Sequence, residues 1–158
     1  GGIVFYVEPC GTKGLVAAAE DQSTGVRWYA GTHGNTQAKG DGPYAGKANT
    51  SIIIAAQVSI GDDGDTYAAR ICNELQITQD GVTYGDWYLP SIAELELMYN
   101  NIGQGSTLGN IGAFADDLYW SSSEFFAFFA WVFAFVNGGA TSSLDRNLTL
   151  RVRAVRAF

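Results

Sequence analysis

The segment Phe125-Phe126-Ala127-Phe128-Phe129-Ala130-Trp131-Val132-Phe133-Ala134-Phe135-Val136 carries no charged and no hydrogen-bonding side chain except the Trp131 indole. No other stretch limits the fold as much. Crossing a bilayer as a helix takes about 20 apolar residues, so this run is no membrane anchor and has to be covered by protein. Read as one strand, it puts Phe129, Trp131, Phe133 and Phe135 on one side and Phe126 and Phe128 on the other. Both sides then ask for burial. A central strand covered on two faces answers this, and so does a strand with one face on the core and the other on a subunit interface.

At 158 residues with 47% hydrophobic side chains, the chain can build its own core. A single domain over residues 1–158 is expected, and dominant disorder is excluded. Charged residues are only 16% while Gly reaches 20 and aromatics 13%, a mixture of strands and tight turns rather than a helical bundle. Ile3 to Val7 and Gly14 to Ala19 read as a hairpin, and Val26 to Ala30 as a third strand. Asn49 and Thr50 can cap a helix from Ser51 to about Ser59, and Thr66 can cap another from Tyr67 to Leu75. Pro90-Ser91-Ile92-Ala93-Glu94 has the capping-box form, with Ile92, Leu95, Met98 and Tyr99 at helical spacing. Leu118 to Ser122, Phe126 to Val136 and Thr149 to Ala157 read as strands. The order predicts an α+β domain with two to three central helices and terminal strands pairing in one sheet. Trp87, Leu89, Leu95, Trp120 and Trp131 are expected in the core or an interface, the alternative being aromatic stacking on sugar.

The net charge of -7 disfavours nucleic acid and anionic lipid unless the cations are segregated. They are. Between Gln22 and Gly61, Arg27, Lys39 and Lys47 oppose only Asp41; from Asn137 onward Arg146, Arg151, Arg153 and Arg156 oppose only Asp145. Asp62 to Glu124 is acidic, with Arg70 as its one cation. A fold joining the two basic stretches creates a local anion site from Arg27, Lys39, Lys47, Arg146, Arg151 and Arg153. Lys39, Lys47 and Arg146 lie in loop-like sequence, free to reach a ligand. On a strand, Arg151 and Arg153 share one face while Arg156 lies on the other, in place for a structural pairing with a carboxylate. Such pairing is the alternative for all three tail arginines.

Other chemistry is sparse. Cys10 and Cys72 form no Cys-x-x-Cys; they are read either as one disulfide or, for Cys72, as a small buried residue of an apolar helix. His33 is the single histidine, which leaves catalytic zinc and Cys-His or Ser-His-Asp catalysis without partners. No phosphate-binding glycine motif occurs. Asp62, Asp63 and Asp65 look like a calcium loop, but the EF-hand register fails at Tyr67 and Ala68, so the alternative is a solvated acidic turn. No cofactor is expected, and no enzyme. The opening Gly-Gly-Ile without Met, and the lack of a signal-peptide pattern, suggest a domain cut from a longer protein.

Three stretches occur together: Asp86-Trp87-Tyr88-Leu89-Pro90-Ser91 with Glu94, Tyr119-Trp120-Ser121-Ser122-Ser123-Glu124, and Arg151-Val152-Arg153-Ala154-Val155-Arg156-Ala157-Phe158. With Gly1-Gly2-Ile3-Val4-Phe5-Tyr6-Val7 and Ala18-Ala19-Glu20-Asp21-Gln22-Ser23, they span nearly the whole chain. Together they resemble the C-terminal domains of the Legionella collagen-like adhesin family. More distantly, Leu89-Pro90-Ser91-x-x-Glu94 and the closing strand resemble the formylglycine-generating-enzyme type of C-type-lectin-like fold. That enzyme's late cysteine pair is missing here, as are the Glu-Pro-Asn and Trp-Asn-Asp sugar motifs of calcium-dependent lectins.

The adhesin resemblance implies an extracellular head domain on the bacterial cell surface, carried by a collagen-like stalk that is not in this sequence. It implies recognition of sulfated host glycosaminoglycans, of the heparin, heparan sulfate and chondroitin sulfate class, with no nucleic acid and no membrane insertion. A triple-helical stalk would gather three copies, and a homotrimer multiplies a modest basic patch. The competing expectation is a trimerisation cap that binds nothing.

Overall fold

The computed structural model describes the backbone of residues 1–158 and all side chains except those of residues 141–143. Strands β1 (Ile3–Val7), β2 (Gly14–Ala17) and β3 (Ser23–Val26) precede helices α1 (Ala45–Ile60) and α2 (Ala68–Asn73). A short hairpin, β4 (Ile77–Gln79) and β5 (Val82–Tyr84), leads to α3 (Ile92–Ile102), followed by β6 (Leu118–Phe126), β7 (Phe129–Ala134), β8 (Gly139–Asp145), β9 (Leu150–Val152) and β10 (Val155–Ala157). The result is an α+β domain. Its first sheet has the order β1-β2-β10, so both chain ends lie in one sheet, on either side of β2; the main sheet runs β3-β9-β6-β7-β8.

The aromatic run departs from the expected single strand. It is a hairpin, with Phe126 paired to Phe129 across a two-residue turn at Ala127 and Phe128. Folding back gives β7 a hydrogen-bonding partner on each side, β6 and β8, which satisfies a backbone that a buried lone strand would leave unpaired. Ala130, Val132, Phe133, Ala134 and Phe135 are buried, and Phe135 stacks on Phe114 at 4.4 Å. At the tip Phe125, Phe126 and Phe128 stay 41%, 44% and 50% exposed.

The closing strand also differs. Thr149 to Ala157 breaks at Arg153 and Ala154: β9 runs parallel to β6 in the main sheet, and β10 pairs with β2 in the first. Arg153 fixes that corner, donating to the carbonyls of Ala18 (3.0 Å) and Gly112 (2.9 Å).

Helix α1 begins at Ala45, earlier than Asn49 and Thr50 would set it, after Tyr44 in a left-handed conformation with no side-chain cap. Asn49 and Thr50 are buried inside the helix and tie it to distant chain. Asn49 Nδ2 donates to Gly40 O at 2.7 Å, and Thr50 Oγ1 accepts from Leu89 N at 3.0 Å. Thr66 is no cap either, because the cap position of α2 is Tyr67. The third strand lies upstream of its expected place, and Trp28 instead leaves the sheet to donate its indole N–H to Ser121 O at 2.7 Å.

Helix α3 follows the sequence reading. Ser91 Oγ accepts from Glu94 N (3.2 Å) and Glu94 Oε2 accepts from Ser91 N (2.7 Å). The buried Glu94 also accepts from Tyr44 N (2.8 Å) and from the Tyr88 hydroxyl (3.1 Å), so one carboxylate joins the N-termini of α1 and α3. Burial pushes its pKa up, although these donors pull the other way. Trp87, Leu89, Leu95 and Trp120 are core residues. Trp131 is half-buried, at the edge of a cleft. Cys10 is exposed on the β1–β2 turn while Cys72 sits in the core, and both are free thiols, so the disulfide reading is overturned. Burial drives the Cys72 thiol far up from its ordinary value.

Candidate functional site: a cleft beside Lys39

The expected anion surface does not assemble as the sequence suggests, because its arginines are consumed internally. Arg146, expected to be free, has a fully buried side chain. It pairs with Glu124 at 2.9 Å, donates to Gly34 O and Phe126 O at 2.9 and 2.8 Å, and lies over Trp28 at 4.1 Å. Arg153 is buried and pairs with Asp21 at 2.7 Å. Arg151 shares that carboxylate at 3.1 Å and reaches Asp117 at 2.9 Å. Arg156, half-buried, pairs with Asp86 at 2.8 Å, which matches its expected structural pairing. Arg27 pairs with Asp63 through both guanidinium nitrogens, and this pairing lowers Asp63 below the usual aspartate range. Among the described lysine and arginine side chains, only the lysines are outside ion pairs.

The acidic turn is likewise committed. Asp62 pairs with Arg70 at 3.3 Å, and Asp62 and Asp63 accept from Gly64 N and Asp65 N. With Asp65, these carboxylates form no group suited to a metal ion among the described residues. His33 is stacked on Tyr29 at 4.4 Å and touches Phe128 at 4.9 Å.

Lys39 and Lys47 both reach solvent, but they are placed differently. Lys47 stands on the first turn of α1, whereas Lys39 lines a cleft of about 480 Å³ with Asp41, Ile92, Glu96, Ser123 and Trp131. Four pieces of chain make its walls, one of them β8 at Ala140. The polar segment before α1 supplies Lys39 and Asp41, the start of α3 supplies Ile92 and Glu96, and the β6–β7 hairpin supplies Ser123 and Trp131. Asp41 Oδ1 accepts from Gly42 N (2.8 Å) and Ala93 N (3.2 Å), which anchors the segment to the helix start. Ser123 Oγ accepts from Ile92 N (3.2 Å) and donates to Gly40 O (3.2 Å). The Phe125 ring stands edge-on to Trp131 at 5.6 Å.

Lys39 and Glu96 keep side-chain polar groups with no protein partner among the described residues. An aromatic ring, one ammonium donor and carboxylate acceptors lining one cleft suit a ligand with an apolar face and a polar rim, as a sugar ring has. The sequence points to Lys39, but it places Trp131 in the core or an interface, with stacking on sugar as the alternative, and gives no sign of Asp41 or Glu96. The alternation of β7 held the one available signal, since it sets Trp131 apart from the buried Ala130 and Val132. No protein-family model matches the chain, and no curated protein matches it.

Proposed function

We propose that this domain is the glycan-binding head of a bacterial surface adhesin that takes sulfated glycosaminoglycan at the Lys39–Trp131 cleft. The carrying observation is that Lys39, a cation outside any ion pair among the described residues, shares a cleft with a half-buried tryptophan. A hexose ring stacks its C–H face on Trp131, its sulfate or carboxylate meets Lys39, and its hydroxyl groups meet Asp41 and Glu96. The domain is not an enzyme in this reading, needs no calcium, and works outside the cell as a homotrimer that lends avidity to a weak single site. With two carboxylates beside one lysine, each copy makes few phosphate-like contacts, so binding is only shallowly salt-dependent.

Calorimetric titration with a heparin-derived octasaccharide tests this. Lys39→Ala and Trp131→Ala are each expected to weaken binding about tenfold, roughly 1.4 kcal/mol, with the fold intact. Unchanged affinity in both variants rejects the site. The exposed Phe125, Phe126 and Phe128 favour a second reading, a cap whose aromatic tip packs against other copies. Light scattering showing a trimer that binds no octasaccharide selects it.

A further inference from the structure

We infer that the buried Glu124–Arg146 pair is a positioning element for the loop that carries Lys39. Residues 34–40 form no helix or strand, yet four of their backbone groups bond to Arg146 or Glu124. Arg146 Nη1 donates to Gly34 O at 2.9 Å. Glu124 Oε2 accepts from Thr36 N and Thr36 Oγ1, both at 2.6 Å, and Oε1 accepts from Gln37 N at 3.4 Å. The Glu124 backbone N–H donates to Ala38 O at 2.7 Å. Thr36 and Ala38 are buried while Gln37 and Lys39 face out, so fixing the backbone also fixes where the Lys39 side chain starts.

Two physical arguments assign positioning rather than mere support. A buried ion pair adds little over apolar packing of the same volume, so the fold does not need a charge pair at this point. The loop uses one, because it has no ladder partners and four of its backbone groups, on Gly34, Thr36, Gln37 and Ala38, bond to Arg146 or Glu124, while Asn49 and Ser123 hold only its end at Gly40. Moreover, Gln37 adopts φ of 66°, a left-handed conformation that a non-glycine residue keeps only where its surroundings enforce it. The bonds that enforce it flank Gln37 and converge on Glu124.

This inference rests on the proposed glycan site only for its binding readout. The experiment measures backbone amide exchange and octasaccharide affinity in Thr36→Val, Thr36→Ser and Glu124→Gln. Thr36→Val removes the hydroxyl latch while leaving the ion pair in place, so it carries the test even if Glu124→Gln does not fold. Thr36→Val is expected to speed exchange at residues 34–40 at least tenfold with β7 unchanged, and to weaken binding about tenfold as the competent loop population falls. Thr36→Ser restores both. Unchanged exchange at 34–40 in Thr36→Val, or equal acceleration in β7, overturns the inference. A wild-type protein that binds no octasaccharide rejects the glycan reading, and the exchange pattern then decides the positioning on its own.

Discussion

Asp21 is the residue whose replacement tests most directly how the two sheets are joined. Its carboxylate takes three donors: Arg153 Nε at 2.7 Å, Arg151 Nη1 at 3.1 Å and the Tyr119 hydroxyl at 2.9 Å. Arg153 sits at the corner between β9 and β10 and is 2% exposed, with its guanidinium over the Phe114 ring at 4.4 Å. Asp21→Asn keeps the shape, removes the charge and turns an NH2 toward a site that offers only donors. Removing one partner of a buried pair costs about 3–5 kcal/mol. The carbonyls of Ala18 and Gly112 still accept from Arg153, which places the loss near the low end, about 3 kcal/mol. At about 2–4 °C per kcal/mol for a domain of this size, Tm should fall by roughly 6–12 °C. Arg151→Ala is the control, since Arg151 is partly exposed and contributes a near-surface pair of about 1 kcal/mol or less. Urea unfolding of both variants decides the matter. A loss below 1 kcal/mol for Asp21→Asn, or equal losses in the two, refutes the claim that this carboxylate holds the corner.

Gly46→Ala tests the shared helix start: alanine gains about 1 kcal/mol in helix propensity, but its Cβ would stand 2.4 Å from Glu94 Oε2 and 2.6 Å from Leu89 O. A net loss of about 1–3 kcal/mol is expected in urea, and a stabilised variant contradicts the packing. A thiol reagent should label Cys10 at once and Cys72 only on unfolding, so two fast equivalents in native buffer contradict the buried position of Cys72. The pH dependence has two opposed parts. The Leu118 amide and then Arg151 hold Asp117 below the aspartate range; burial raises Asp86, and Arg156 more than reverses it. Both bind protons less readily folded than unfolded, so their stabilisation is present at neutral pH and is lost as pH falls through the ordinary aspartate range. Glu94, raised by burial, works the other way, and its ionisation costs stability as pH climbs past the ordinary glutamate value. Glu94→Gln should flatten that second slope in a stability titration, and an unaltered slope counts against the assignment.

The parts of the fold legible in the sequence are those decided locally. The capping box of α3 is written in Ser91 and Glu94, and the first hairpin shows as two short apolar runs around turn residues. What stayed illegible depended on distant partners. Asn49 and Thr50 look like caps because their side chains bind backbone, and they do so, but the backbone they bind belongs to Gly40 and Leu89 rather than to their own helix. The aromatic run has the period of one strand. Only the need of β7 for neighbours on both sides reveals a hairpin, and that need belongs to the sheet. An apolar strand places Trp131 in the core or an interface, whereas its position near the tip leaves it lining a cleft.

The arginines make the same point about electrostatics and change what the candidate site can be. A basic tail following an acidic middle reads as a surface when the chain is drawn as a line. In the fold, segregation along the chain becomes complementarity in space, because β9 and β10 lie among the segments that carry Asp21, Asp86 and Asp117. Guanidinium favours that outcome, since its fork binds a carboxylate through two bonds and is less strongly hydrated than ammonium, so it survives burial better. Lysine keeps its compact charge in water. The cations left for a ligand are therefore lysines on exposed segments, and of the two that the sequence singled out only Lys39 stands where an aromatic ring and a backbone held by Glu124 give it a fixed setting.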